Sequence, residues 1–262
     1  MRSINKTHSL IVILLISSLG YIISCTHTNT IIESTGSKIT RGTEILLAGN
    51  MTPGNTNEWK LDKAHSNVLW STNYVGAAGL LTGRFNQFGM GNVTDDLATN
   101  YVTTGQPVKD TAWAFYESDP SKSHFNGYVQ INTSNTGEPG RDGGCNISAM
   151  GTVPIVAGTQ NLTSTNLAKI QTTKIEFDPS SNGYIVTMNL TYKGLLATPL
   201  TESVVGKLSY IPRAKVQFGT SAGYEVFGFQ LKFQFNCRDY GITSTSIGNK
   251  IEIECNMNFN NK

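Results

Sequence analysis

The side chains that bind metals or perform acid–base chemistry are dispersed along this chain. Its four histidines, His8, His27, His65 and His124, form no H-x-x-x-H pair and no Cys/His cluster. A zinc site needs three or four such ligands around one ion. We therefore expect no metal and no cofactor.

One short motif is shared with serine hydrolases. Residues 219–223 (GTSAG) match G-x-S-x-G. The nucleophile elbow built on that motif lies between a strand and a helix, whereas strand patterns flank it here, over Lys215–Phe218 and Tyr224–Arg238. We interpret the motif as a hairpin turn. Since no pair of carboxylates stands out either, we expect no catalytic residue and no enzymatic activity.

The charge balance gives no support for a nucleic-acid partner. The chain has 20 Lys and Arg against 18 Asp and Glu. Two of the basic residues, Arg2 and Lys6, lie in the first 24 residues, which contain no acid, so the remainder is balanced at 18 against 18. Binding to nucleic acid requires clustered basic residues, and the sequence has no such cluster.

The N-terminus has the features of a secretory signal. After Arg2 and Lys6 comes an apolar stretch that begins at Leu10–Leu15 and runs, with interruptions, to Ile23. It is too short to span a bilayer. It ends in IISC at positions 22–25, which resembles a bacterial lipobox, so we expect residues 1–24 to be a lipoprotein signal and Cys25 to be acylated. The alternative is an ordinary cleaved signal with a chance cysteine.

The rest of the chain divides at about residue 57. Residues 25–57 are polar and rich in turn formers, which favours a flexible tether; the alternative is an extra strand packed on the domain. Residues 58–262 form the folded domain. These features predict an exported protein of the bacterial envelope, attached to the membrane by lipid on Cys25 and facing the periplasm or the exterior.

Strands account for most of this domain. Between Val226 and Arg238, apolar residues occupy every second position, a period that fits a strand and not a helix. The same alternation recurs from Lys250 to Phe259. Further candidates are His65–Tyr74, Gly79–Phe88, Thr111–Tyr116, Phe125–Asn132, Ile170–Phe177, Tyr184–Tyr192, Val204–Ile211 and Lys215–Phe218.

The spacing of these strands predicts an all-β domain. Turn signals between them favour antiparallel neighbours, and closing such a sheet removes its exposed edges. We expect an antiparallel up-and-down β-barrel of about eight strands, with one long insertion over residues 140–169. These residues include many Gly, Pro and Thr, so the insertion is expected to be mostly irregular, with room for a turn or two of helix.

The inward stripes of this barrel are candidate ligand-binding residues. A small closed barrel is wide enough for side chains or one ligand, and aromatic side chains suit an apolar ligand. The alternative for each position is ordinary core packing. The candidates are Val68, Trp70, Tyr74, Phe85, Trp113, Phe115, Phe227, Phe229, Leu231, Phe233 and Phe235.

Two cysteines are candidates for a disulfide. Cys237 and Cys255 lie on the apolar stripes of the last two strands and are nearly symmetric about a turn at Thr243–Asn249. Export to an oxidising compartment favours a bridge, and directly opposed positions lie near bridging distance. The alternative is two reduced core thiols, since a shift in register would separate them.

Several motifs resemble the YceI family. The run Trp59–Trp70 (WKLDKAHSNVLW) is similar to its opening pattern, aromatic-x-L-D-x-x-H-S-x-V-x-F, and Leu81–Phe88 (LTGRFNQF) is similar to its G-x-F-x-x-F. Three later segments add support: 131–142 (INTSNTGEPGRD), 190–200 (LTYKGLLATPL) and 235–242 (FNCRDYGI).

The resemblance implies a lipocalin-like barrel whose cavity holds a long apolar lipid, typically a polyisoprenoid-type chain, with no established catalytic residues. Two departures stand out: Trp70 replaces a phenylalanine, and Gly143-Gly144-Cys145 opens a longer insertion. The main hypothesis is therefore a lipid carrier or buffer. The rival is a ligand-free structural barrel whose 143–168 loop contacts a partner.

Polar residues in these motifs have a structural interpretation. Asp62 and His65 lie at a strand start, where a cap or hairpin hydrogen bond is expected. The pairs Arg141-Asp142 and Arg238-Asp239 lie beside turns, where salt bridges that fix the turn are expected.

Overall fold

The computed structural model describes residues 46–48, 60–76, 78–90, 113–116, 119–151, 166–220 and 222–261. Within these ranges the chain forms thirteen strands and one α-helix. The elements are β1 (Leu46–Ala48), β2 (Lys60–Leu61), β3 (Asn67–Tyr74), β4 (Gly79–Phe85), β5 (Phe88–Met90), β6 (Trp113–Tyr116), β7 (His124–Gln130), β8 (Ser134–Asn135), α1 (Pro139–Met150), β9 (Leu167–Asp178), β10 (Gly183–Tyr192), β11 (Leu200–Val216), β12 (Tyr224–Asn236) and β13 (Lys250–Asn260).

The long strands alternate buried and partly exposed side chains. In β10 every second residue from Tyr184 to Tyr192 is buried, and β13 buries Ile251, Ile253 and Cys255 in the same way. Successive side chains of a strand point to opposite faces. The alternation therefore places one apolar face of each strand in a common interior.

The antiparallel sheet closes on itself. Its strands follow the order β7-β9-β10-β11-β12-β13-β3-β4, and β4 and β5 then pair back onto β8 and β7. Backbone hydrogen bonds continue across the bends between these short strands, from Asn86 N to Thr133 O at 3.1 Å and from Gln130 N to Gln87 O at 2.9 Å. Counting β4–β5 and β7–β8 as bent strands, the ring has eight members, which confirms the predicted all-β, lipocalin-like barrel.

Three of the described strands lie beside this ring. Strand β2 pairs with the end of β13. Strand β6 pairs with the start of β7, and β1 pairs with β6 through Leu46↔Tyr116 and Ala48↔Ala114. Residues 46–48 belong to the segment expected to be a tether, and at these three positions the structure shows the alternative, an added strand. Residues 1–45, including Cys25, lie outside the described residues.

The helix α1 is longer than expected. The sequence predicts a mostly irregular segment over residues 140–169 with a turn or two of helix, whereas Pro139–Met150 form three helical turns. Glu138 caps the first turn, because its carboxylate accepts hydrogen bonds from Gly140 N at 3.0 Å and Arg141 N at 2.7 Å. Gly151 ends the helix in the left-handed region at φ 69°. Among the described residues, no helix has the length and apolar character needed to cross a membrane.

We call the region where β4 and β5 pair back onto β8 and β7 the seam of the barrel. The seam depends on a close fit between Trp70 and Gly83. These residues are cross-strand partners in β3 and β4, and the indole lies over Gly83. A Cβ at Gly83 would be 2.5 Å from Trp70 Cε2, so only glycine leaves room for the ring. The indole then reaches β8, where Nε1 donates a hydrogen bond to Ser134 Oγ at 2.8 Å.

We predict that Gly83→Ala destabilises the fold while Gly79→Ala does not. Overpacking a tight site costs about 1–3 kcal/mol, whereas a Cβ at Gly79, in the same strand, would have no atom within 4 Å. Urea denaturation of the two variants should show a lower free energy of unfolding for Gly83→Ala alone. Equal values for both variants would contradict this account of the seam.

Candidate functional site

The barrel interior contains an apolar cavity of about 70 Å³. Side chains from seven of the eight ring members and from α1 line it. In the described residues no charged side chain belongs to its wall. The lining residues are Val68, Phe85, Gly89, Met90, Phe125, Gly127, Tyr128, Val129, Ile131, Met150, Ala168, Ile170, Leu190, Tyr192, Phe229, Leu231, Phe233, Phe235, Ile253, Cys255 and Met257.

One wall comes from β12 and β13. Phe229, Leu231 and Phe233 are partners of Met257, Cys255 and Ile253 in the antiparallel register. Because these pairs share one face, the wall is a continuous apolar surface. All six side chains are buried.

A second wall includes smaller residues. Gly127 of β7 pairs with Ile170 of β9, and Val129 pairs with Ala168. Phe125 and Tyr128 of β7 and Ile170 of β9 also line the cavity, so this wall mixes small and large residues. We infer that Gly127 and Ala168 leave part of the free space.

An aromatic cluster packs against part of the cavity wall through Phe125 and Phe229, which line it. The ring of Phe125 is stacked on Phe229, with centroids 5.1 Å apart, and on Phe115, at 5.9 Å. Phe115 also contacts Phe227 at 5.4 Å and Phe259 at 5.4 Å. Such contacts contribute about 0.5–1.5 kcal/mol per pair beyond the area they bury.

The end of α1 contributes to another part of the wall. The Tyr192 hydroxyl donates a hydrogen bond to the carbonyl of Met150, and both side chains line the cavity. Burial raises the pKa of Tyr192 above its usual range. The hydroxyl therefore stays neutral, and it links the helix to β10.

Six of the eleven predicted ligand-binding residues lie in the cavity wall. They are Val68, Phe85, Phe229, Leu231, Phe233 and Phe235. Phe115 and Phe227 are buried in the aromatic cluster instead, and Trp70 is buried against Gly83. Tyr74 is half-buried at the end of β3. Trp113 lies in β6, and its side chain is outside the described part of the chain.

The sequence interpretation omitted much of the wall. Ile253, Cys255 and Met257 belong to the apolar stripe of β13, so their alternation could have identified them. Phe125 and Tyr128 lie in a predicted strand. By contrast, Ala168 and Gly127 carry no apolar signal, and Met150 lies at the end of a helix that is longer than the sequence pattern predicts.

The predicted disulfide between Cys237 and Cys255 is wrong. Cys255 is the partner of Leu231, so Cys237 lies six residues further along the chain, about 20 Å along the strand direction. A bridge requires Cα atoms closer than about 7 Å. The chain turns at Cys237 itself, whose carbonyl accepts hydrogen bonds from Tyr240 N and Ile242 N at 3.2 Å each, whereas the prediction placed the turn later. Both thiols are free and buried.

The D-x-x-H-S motif fixes the start of β3. Asp62 Oδ2 lies 2.7 Å from His65 Nδ1 and accepts a hydrogen bond from Asn260 Nδ2 at 3.1 Å. Ser66 Oγ accepts a hydrogen bond from Asn258 N at 2.9 Å. Partial burial tends to raise the pKa of Asp62, but hydrogen bonds and the charge of His65 lower it more, so the net shift is downward. The motif joins the first turn of the domain to β13.

The two Arg-Asp pairs do not form salt bridges within each pair. Arg238 instead donates to the carbonyls of Ile242 at 2.7 Å and Ile247 at 2.8 Å. Asp142 accepts from Thr136 N at 2.8 Å and Thr136 Oγ1 at 2.7 Å. Their roles are structural, at the β12–β13 connection and at the start of α1. Within the described ranges, His, Cys, Asp and Glu form no group of three that could hold a metal ion.

The family of this barrel follows from a comparison of the whole domain. The YceI-like domain profile matches residues 59–259, which include every strand of the ring. The chain belongs to the YceI-like domain family. The match extends over the motifs that suggested this family, including the D-x-x-H-S cap and the Gly83 seam.

Solved structures similar to this YceI-like chain come from several bacteria. BcnA of Burkholderia cenocepacia is 14% identical, with 76% of this chain and 99% of that chain covered and a TM-score of 0.45. A polyisoprenoid binding domain from Saccharophagus degradans, implicated in plant cell wall breakdown, is 13% identical, with 77% and 97% covered and a TM-score of 0.41. The YceI protein of Campylobacter jejuni is 19% identical, with 76% and 97% covered and a TM-score of 0.38. No curated protein matches the chain. Membership of the family therefore rests on the domain profile.

We predict that the thiols of this YceI-like domain differ in reactivity. Cys145 is half-buried, whereas burial raises the pKa of Cys255 to about 12, and the thiolate is the reactive form. Iodoacetamide should alkylate Cys145 first in the native protein, and peptide mapping should detect no Cys237–Cys255 link. In denaturant the two rates should converge. Native alkylation of Cys255 as fast as that of Cys145 would contradict the buried position.

Proposed function

We propose that this protein binds the apolar chain of a long lipid, of the isoprenoid type, inside its barrel and acts as a carrier or buffer for it. The observation that supports this proposal is the cavity, whose described wall contains aromatic and aliphatic side chains and no charge. A binding site of this kind gains free energy from area removed from water, about 25 cal/mol for each Å² of apolar surface. It needs no charged partner on the ligand chain.

The cavity is narrow, and its wall is adaptable. Its 70 Å³ is about half the volume of an engineered apolar cavity that holds benzene, roughly 150 Å³. A longer chain therefore enters only if lining side chains move. Three of these are Met90, Met150 and Met257, and unbranched methionines repack at low cost. We infer that the cavity widens around the ligand through these side chains.

The proposed place of action is the bacterial envelope. The apolar stretch that ends at Cys25 supports export followed by acylation of this cysteine. Stable membrane attachment takes more than one acyl chain, which a lipoprotein N-terminus provides. A tethered barrel of this kind would keep its lipid cargo close to the membrane.

We predict that Phe233→Asn lowers lipid retention and that Phe227→Asn does not. Both residues are buried in β12, with 8% and 5% of their surface exposed, but only Phe233 lines the cavity. Asparagine places a polar group against the ligand chain in the first variant only. Mass spectrometry of organic extracts of the two purified proteins should show less bound lipid in Phe233→Asn at comparable melting temperatures.

The rival interpretation, a ligand-free structural barrel, predicts that the wild type retains no lipid. A barrel filled by its own side chains would yield no stoichiometric lipid from the wild type, and it would bind no added apolar probe. Equal retention by Phe233→Asn and the wild type would place the ligand elsewhere.

We also predict that Cys25→Ser releases the protein from membranes. The wild type expressed in a bacterial host should partition into the detergent phase, because acyl chains on Cys25 provide the anchor. The variant should remain in the aqueous phase. An unmodified mature N-terminus at another position would contradict the lipoprotein assignment.

A further inference from the structure

We propose that the stacked pair Phe125 and Phe229 sets the length of apolar chain that the cavity accepts. This inference rests on the proposed lipid-binding function and identifies the residues that select among ligands. Both rings line the cavity, and they lie at its junction with the aromatic cluster. They contact the rings of Phe115 and Phe259, which do not line the cavity, so a chain that reaches the pair meets packed rings.

The pair is held from several directions. Phe125 is 1% exposed and Phe229 is 2% exposed, and their planes are tilted by only 25°. The backbone of Phe125 donates a hydrogen bond from N to Thr172 Oγ1 at 2.9 Å, which links β7 to β9. Close packing of this kind resists the shifts that extra ligand atoms would require.

A second layer of rings supports the pair from outside the cavity. Phe115 lies 5.9 Å from Phe125 and 5.5 Å from Phe229, measured between ring centroids. Phe259 lies 5.4 Å from Phe115 and stacks on Phe227 at 4.6 Å. Phe115, Phe227 and Phe259 do not line the cavity. Displacing the pair would therefore disturb a layer that makes no contact with the ligand.

The other lining groups are less suited to stop a chain. Met90 and Met150 are flexible, and Gly127 and Ala168 are small. Since the described wall has no charged side chain, it provides no ionic contact for a polar head group. The property left for the cavity to discriminate is therefore the length of the apolar chain beyond the head group.

The test uses saturated fatty acids of about 8 to about 18 carbons that displace an apolar fluorescent dye from delipidated protein. Each buried methylene strengthens binding by about fourfold, so wild-type affinity should rise with length and then level off. In Phe125→Ala, which removes six side-chain carbons, the rise should continue for roughly four further carbons before it levels off. Phe125→Leu is a milder change that preserves the core better. It should shift the chain length at which affinity levels off by about two carbons.

Phe88→Ala is the matched control. It removes the same atoms from a buried ring, 7% exposed, that does not line the cavity, so it should lower the melting temperature and leave the chain length at which affinity levels off unchanged. An unchanged length in both Phe125 variants, or an equal shift in Phe88→Ala, would overturn the assignment while lipid binding itself stands. Failure of the wild type both to bind any acid of the series and to yield lipid in the organic extract would overturn the proposed function, and the length selection with it.

Discussion

The barrel depends on closure of its seam, because an open sheet would leave the apolar faces of all eight members exposed to water. That closure joins β3 and β4 to short strands that bend, and Trp70 is the side chain that connects them. It lies on Gly83 and donates its indole hydrogen to Ser134 in β8. A phenylalanine, the residue that the YceI-like motif implies at this position, would have no such donor. Trp70 therefore adds a hydrogen bond within an apolar core.

The cavity is a consequence of unequal filling inside the closed ring. Strands β12 and β13 contribute bulky side chains to the wall, whereas β7 and β9 contribute Gly127 and Ala168 beside larger residues such as Phe125. Interiors normally pack to uniform density, so free space persists only where small residues face large ones that are held in place. The aromatic cluster around Phe115 holds the large ones from the side away from the cavity.

The sequence predicted the strands whose apolar residues alternate along the chain. It was less successful for features that depend on where the chain turns or on contacts between side chains and backbone. The alternation of β12 and β13 indicated the strands, the shared face and much of the wall, since each follows from the period of two. The disulfide prediction failed because register depends on where the chain turns, and the hydrogen bonds around Arg238 place that turn at Cys237. The length of helix α1 was underestimated because glycine and proline lower helix propensity, and the N-cap that stabilises it is a contact between side chain and backbone. Leu46–Ala48 were too few to show any period.

The charge-free wall also bears on how cargo would leave. Burial raises the pKa of both Tyr192 and Cys255, and the described lining contains no carboxylate, imidazole or amine. Acidification or mild alkalinity would thus leave these groups uncharged, and the interior would hold a hydrocarbon equally well across that range. A pH gradient between compartments offers no release signal through this wall. Unloading would instead follow relative affinity, with the chain passing to whichever apolar environment, membrane or protein, removes more of its surface from water.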